Sequence, residues 1–265
     1  MVNRMDILQR KKESGQKALV TFITAGDPTL EATYELVHAM AQSGADLIEL
    51  GIPFSDPVAE GPVIQRANVR ALKHNISIDM VFDLVARLRV NLEIPLVFLM
   101  YANSLFHYGA EAFFKKCRQY GVDGVILPDL PYEEQQEFLP YAEKEGIAII
   151  SLVSPLSGSR IGPIAAHAKG FLYCVSSLGV TGIRTGFDTD FESFMKEVGN
   201  STHIPAYLGF GIATPEQARQ LMDYCDGIIV GSALVKQIEE SRTIEEAVES
   251  VAHLTRSLRR ALDGE

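Results

Sequence analysis

Two carboxylates raise the first chemical question. In the stretch LIELGIPFSDPVAEGPVIQRA, residues 47–67, Glu49 stands between Ile48 and Leu50 inside an apolar run, and Glu60 follows eleven residues later, beyond a Pro-rich turn. A carboxylate inside a buried strand is costly to ionise and tends to keep its proton, with a raised pKa. Such a group is suited to acid–base work near neutral pH. The competing reading is a structural Glu paired with a buried Arg or Lys, yet no basic residue stands within that run. Glu60 has an ordinary explanation on spacing alone. It is an acid just before a helical pattern whose first turn includes Pro62, a position favoured by the helix dipole. Asp56-Pro57 is ordinary turn chemistry as well.

Glycines supply a second chemistry. LGFGIATPEQ (208–217) and IIVGSALVK (228–236) each pass from an apolar run through glycine into a helical pattern. Gly209, Gly211 and Gly231 would let an anion approach backbone N–H groups, and Ser232 adds a hydroxyl. SLGVTGIRTG (177–186) carries Gly179, Gly182 and Gly186, and reads either as a mobile lid or as a long surface loop. Three such loops on one rim would favour a phosphorylated ligand.

The elements that must position these groups follow a rhythm. Short apolar runs occur at 18–26, 46–52, 95–101, 123–129, 147–153, 170–176, 204–211 and 226–232. Their continuous apolar character suits strands buried on both faces of a parallel sheet. Helical patterns lie between them. TLEATYELVHAMAQSG places Ala32, Leu36, Ala39 and Met40 on one face and ends at Gly44. PYEEQQEFLPYAEKEG is acidic early and ends at Gly146. Thr214, Pro215 and Gln217 form a capping-box sequence. The closing pattern, TIEEAVESVAHLTRSLRRALDG, begins with acids and ends with arginines, matching the helix dipole. Eight such units in 265 residues predict an α/β protein, a (β/α)8 TIM barrel forming a single domain over 1–265, rather than a doubly wound open sheet. The segment NRMDILQRKKESG predicts an extra N-terminal helix whose Met5 and Leu8 cover the barrel's bottom. In such a barrel, chemistry sits at the C-terminal ends of the strands, and phosphate often sits after strands seven and eight.

Composition narrows the partners. A formal charge of −10 without a Lys/Arg cluster argues against nucleic acid and anionic membrane surfaces. No apolar run approaches the ~18 residues of a membrane span, and the first residues lack a signal-peptide pattern, so the expectation is a cytoplasmic protein. Cys117, Cys174 and Cys225 are scattered and form no CxxC pair, which fits reduced thiols, and no Cys/His cluster predicts a metal site.

The motifs FITAGDP, IELGIPFSDPVAEGPVIQRA, LMYANSLFHYG, GVILPDLPYEE, SSLGVTG, GFGIATPEQ and IVGSALVK, in this order through most of the chain, resemble the α subunit of tryptophan synthase. That resemblance implies a lyase that splits indole-3-glycerol phosphate into indole and glyceraldehyde 3-phosphate by a retro-aldol step, without a cofactor in this chain. It implies Glu49 as general acid/base, Tyr173 beside it, and Glu60 as the anion facing the indole nitrogen, where the family's usual ADGP is here AEGP. It further implies a phosphate seat at Gly182, Gly211, Gly231 and Ser232, and an indole pocket of Phe22, Leu99, Phe210 and Ile229. Thr181 matches a lid residue. The implied partner is a β subunit carrying pyridoxal phosphate, in an αββα assembly with allosteric coupling, met by Pro53, Asp56 and Pro131. A freestanding indole-glycerol phosphate lyase, and a weakly active subunit that mainly activates its β partner, are the alternatives.

Overall fold

A computed structural model describes residues 3–175, 189–209 and 211–265. The strands are β1 (Ala18–Thr24), β2 (Leu47–Gly51), β3 (Leu96–Leu99), β4 (Gly124–Ile126), β5 (Ala148–Val153), β6 (Leu172–Val175), β7 (Ala206–Gly209) and β8 (Gly227–Val230). All pair in parallel with their sequence neighbours, and β1 closes on β8, giving a closed eight-stranded barrel. Each expected run holds one strand, trimmed at its ends. In the fourth run pairing stops at Ile126, and a turn follows through Pro128, which has no N–H to offer a ladder.

The helices are α1 (Asp6–Glu13), α2 (Leu30–Gln42), α3 (Pro62–Leu72), α4 (Ile78–Leu88), α5 (Ala102–Tyr108), α6 (Ala110–Tyr120), α7 (Leu139–Glu145), α8 (Ile161–His167), α9 (Thr189–Ser201), α10 (Pro215–Leu221), α11 (Ser232–Glu240) and α12 (Ile244–Leu262). The local signals act as physics requires. Thr214 and Gln217 close a reciprocal capping box on α10. Glu245 and Glu246 open α12 while Arg259 and Arg260 end it. The segment 131–146 is not one helix. A 3₁₀ turn over Tyr132–Glu137 gives way at Phe138 to α7, because Pro140 cannot donate an i→i−4 bond.

Side-chain alternation sorts the core into two layers. Ala18, Val20, Leu47, Val97, Ile126, Ile150, Tyr173, Tyr207 and Ile229 fill the barrel interior. Ile48, Leu50, Phe98, Val125 and Ile228 face the helices instead. Met5 and Leu8 join the interior cluster, so α1 and the residue before it plug the bottom. Gly170 makes room for this plug, since a Cβ there would lie 2.7 Å from the Met5 methyl and 2.9 Å from Ile150.

Three aspartates pin the same end. Asp46, Asp123 and Asp226 stand just before β2, β4 and β8, and each accepts an N–H at the start of the preceding strand: Leu19 at 2.8 Å, Leu96 at 2.9 Å and Ala206 at 2.9 Å. Each also pairs with a cation in or beside α1: Lys11 at 2.9 Å, Arg4 at 3.0 Å and Lys12 at 3.1 Å, respectively. The bottom of the barrel is therefore strapped as well as plugged.

Candidate active site

At the opposite end, the C-terminal mouth holds a cleft with about 600 Å³ of empty space, the open solvent at its entrance included. Its lining includes Phe22, Glu49, Glu60, Leu99, Tyr173, Gly211, Ile229, Gly231 and Ser232. Residues from all eight strands or the loops that follow them converge on this one space. Phe210, Thr181 and Gly182 lie outside the described residues.

Glu49 is the middle residue of β2, in register with Phe22 on β1 and Val97 on β3. Leu47 belongs to the interior cluster while Ile48 and Leu50 face outward, so Glu49 points into the barrel. It is 1 % exposed, and its Oε1 has no hydrogen-bond partner among the described residues. No cation pairs with it among those residues, so the structural ion-pair reading finds no partner there. Burial, and secondarily the field of Glu60, hold its carboxyl well above the usual carboxylate range.

Glu60 does not cap the helix it precedes. Gly61 occupies the N-cap of α3, no side chain caps that end, and Glu60 is turned into the cleft, 7 % exposed. Burial pushes its carboxyl up to about 7. Three side chains fix its loop through the backbone. Asn68 Oδ1 accepts from the Phe54 N–H at 2.9 Å, Tyr101 Oη accepts from the Ala59 N–H at 3.0 Å, and Gln65 Nε2 donates to the Glu60 carbonyl at 2.9 Å. The Tyr101 ring also stacks on Phe54 with centroids 4.9 Å apart. These loop-holding residues carry no local sequence signal, because Tyr101 reaches Ala59 from the end of another strand.

Tyr173, buried in the interior, lies within the fields of both acids. Burial first, then Glu49 and Glu60, raise its phenol. Its ring is seated against β7 because Gly209 has no side chain, and a Cβ there would come within 2.6 Å of that ring. Ile64, Ile126, Pro128 and Leu152 complete the apolar wall. Leu152 was open to detection in the sequence, since it sits near the C-terminal end of the fifth apolar run, whereas Ile126 is central in the fourth run and ends its strand only because pairing stops there.

At the end of β8, α11 begins at Ser232 behind Gly231, and no side chain caps this end. Its first N–H groups and its dipole therefore remain available to an anion. α11 and α3, which start near each other at the mouth and pack together through Ile64, Ala67 and Val235, are also tied by charge. Arg70 holds Asp27 through two contacts of 2.7 and 2.8 Å, Arg70 and Arg66 both reach Glu239, and Asp27 is 1 % exposed. Burial raises the Asp27 carboxyl despite the Arg70 fork, so the fork offsets the loss of hydration rather than exceeding it.

Of the residues proposed to meet a partner, Asp56 and Pro131 are exposed at this end, whereas Pro53 is buried within the chain. Among the described residues no Cys, His, Asp and Glu group is arranged to hold a metal ion, and no helix is long and apolar enough to cross a membrane.

The fold and the site define a class: an enzyme on a (β/α)8 barrel whose mouth gathers two buried carboxyls beside an uncapped helix N-terminus. The model of the family described as tryptophan synthase alpha chain matches residues 8–263. The tryptophan synthase alpha chain of Thermoanaerobacter sp. (strain X514) is 48 % identical over 262 residues, covering 98 % of this chain and 100 % of its own. That of Caldanaerobacter subterraneus subsp. tengcongensis is 49 % identical over 251 residues, covering 95 % and 96 %. The crystal structure of tryptophan synthase subunit alpha from Legionella pneumophila str. Paris superimposes with a TM-score of 0.91 at 39 % identity, covering 100 % of both chains. This chain belongs to the tryptophan synthase alpha chain family.

Proposed function

We propose that the chain is a carbon–carbon lyase that cleaves indole-3-glycerol phosphate to indole and glyceraldehyde 3-phosphate, as the α subunit of tryptophan synthase. The observation that carries this reading is the placing of two buried, mutually repelling carboxyls in an apolar cleft that is also met by an uncapped helix N-terminus. The apolar wall of Phe22, Leu99 and Ile229 suits an indole, and Gly211, Gly231 and Ser232 suit the phosphate. Protonated Glu49 delivers its proton to indole C3. The bond between C3 and the glycerol chain breaks as the adjacent hydroxyl becomes an aldehyde, and the hydroxyl proton returns to the Glu49 carboxylate. Positive charge that develops on the ring nitrogen is met by ionised Glu60, a fixed anion whose value lies in the transition state. Tyr173 packs beside the acids. The reaction needs no cofactor in this chain, and pyridoxal phosphate would belong to the β partner.

A partnered subunit fits the rim. Val58 and Leu156 are each 77 % exposed and Phe106 is 51 % exposed, all on segments that follow strand ends at the mouth. Large apolar groups in water at one end mark a docking face. A related assembly exists in the tryptophan synthase complex from Pyrococcus furiosus, one chain of which superimposes with a TM-score of 0.83 at 32 % identity.

The test is to incubate the purified chain with indole-3-glycerol phosphate, with and without a tryptophan synthase β subunit, and to measure indole. Indole release that rises many-fold with the β subunit is expected. High release unaffected by the partner would indicate the freestanding lyase, and activation of the partner without indole release would indicate a mainly activating subunit. Glu60→Gln should lose about 100-fold or more in turnover while still binding substrate, in the range seen when one preorganised electrostatic group is removed.

A further inference from the structure

A second cleft of about 1050 Å³ opens at the N-terminal end of the barrel, lined by Asn3, Arg4, Arg89, Arg118, Gly121 and Asp123 among others. It is at the opposite end from the mouth, because Asp123 precedes β4. Three guanidinium groups meet one lining carboxylate here. Asp123 is already committed: Oδ1 accepts from Arg4 at 3.0 Å, and Oδ2 accepts from Arg89 at 2.7 Å and from the Leu96 N–H at 2.9 Å.

Arg89 is deeply held. Its other contacts run to the carbonyls of Gly121, Leu92 and Ile94, and its side chain is 9 % exposed. Its pKa is lowered to about 10, by burial above all and then by repulsion from Arg4, against the opposing pull of Asp123 and Glu93. Arg4 is about one quarter exposed and spends one N–H on Asp123, while its Nε is buried without an acceptor among the described residues. Arg118 on α6 is exposed and has neither an ion pair nor a hydrogen bond among the described residues. An excess of positive charge in a chain of net charge −10 runs against the composition, so it is a local feature rather than a background one.

We propose that this cleft is a binding site for a small dianion bearing phosphate or carboxylate groups, gripped by Arg118 and Arg4 above the Asp123–Arg89 pair. Guanidinium forks suit planar carboxylate and phosphate oxygens, and charge-assisted bonds of this kind are roughly twice as strong as neutral ones. Two lining cations beyond the one that Asp123 neutralises match a charge of −2. The cleft accepts more than a bare ion, so the anionic group has room for a small organic body. The ligand would bridge the segment before α1 to α6, far from the acids of the mouth.

The experiment follows the backbone amide resonances of Gly121, Gly146 and Gly231 in the full-length chain during titration with inorganic phosphate, succinate or chloride at matched ionic strength. Gly121 and Gly146 line this cleft and Gly231 lines the mouth, so the two anion sites report separately. Saturable shifts at Gly121 and Gly146 with phosphate or succinate, absent with chloride, are expected, and the arm that saturates first identifies the anionic group. In Arg118→Gln the apparent affinity at those two amides should fall at least fivefold while any phosphate response at Gly231 is kept. Linear shifts equal to those of chloride, or an Arg118→Gln titration matching the wild type, would overturn the proposal.

Discussion

Protonation of Glu60 links the chemistry of the mouth to the stability of the chain. Its carboxyl titrates at about 7 in the folded chain against an ordinary value of 4.5, and burial is the cause. The folded chain therefore holds a proton that the unfolded chain releases. The stability due to that proton is complete below about pH 4.5 and is lost as pH rises toward 7. Glu60→Gln removes this penalty, so at pH 8 its unfolding free energy should exceed that of the parent by up to ~3 kcal/mol, with a flatter pH dependence. Urea unfolding at pH 5 and pH 8 checks the sign. Activity should move the other way in the parent. The ionised form of Glu60 grows in through pH 7, so kcat/KM should climb between about pH 6 and pH 8. A flat profile across that window would remove Glu60 from the role assigned to it. Glu49 was legible in the sequence because an acid inside an apolar run has few explanations. Glu60 was not legible from spacing, since an acid before Pro62 satisfies the helix rules, and only its burial in the cleft separates the two readings. Asn68 and Tyr101, which hold its loop, are recognisable only once β2, α3 and β3 stand side by side.

At the level of elements, α3 and α11 carry the two halves of the site, and the Asp27–Arg70–Glu239–Arg66 chain ties them together. Asp27 is the vulnerable member, because removing its fork leaves a buried carboxyl without compensation. Arg70→Leu is expected to cost about 3 kcal/mol in chemical denaturation, as for other broken buried pairs. Arg66→Leu, which removes the partner that is 53 % exposed, should cost under ~1 kcal/mol. If the two variants cost the same, the burial of Asp27 is not what makes the chain of charges matter. The starts of α3 and α11 were legible from Pro62 and from a glycine that leads into a helical pattern, with no side-chain cap at either. The pairing of Arg70 with Asp27 was not, because 43 positions separate them and an exposed helix face would use the same residue types.

Across the whole molecule, the bottom of the barrel divides its stabilisation between a plug and a strap. Leu8 is fully buried and fills the barrel interior, so Leu8→Ala should cost about 2–5 kcal/mol. The Lys12–Asp226 pair is about one quarter exposed on each side, so Lys12→Met should cost about 1 kcal/mol or less, and less again at high salt. Thermal unfolding of both variants would show that packing outweighs charge here, and indole release by Lys12→Met should be unchanged. The closed barrel and its bottom helix followed from the alternation of apolar runs and amphipathic segments. The strap did not, although Asp46, Asp123 and Asp226 recur at the same place before their strands, because nothing local says which lysine or arginine will arrive there.

The pinning is uneven in a way that bears on motion. Strands β2, β4 and β8 each begin behind an aspartate that also grips the preceding strand, whereas β6 begins behind Gly170, which yields its space to Met5. The amides of Leu19, Leu96 and Ala206, bonded to carboxylates, should exchange with deuterium only on global opening. The start of β6 has no such anchor, and it carries Tyr173 toward the acids. One quarter of the floor is thus held by packing against Met5 rather than by a carboxylate, so added salt should loosen the other three quarters more than this one.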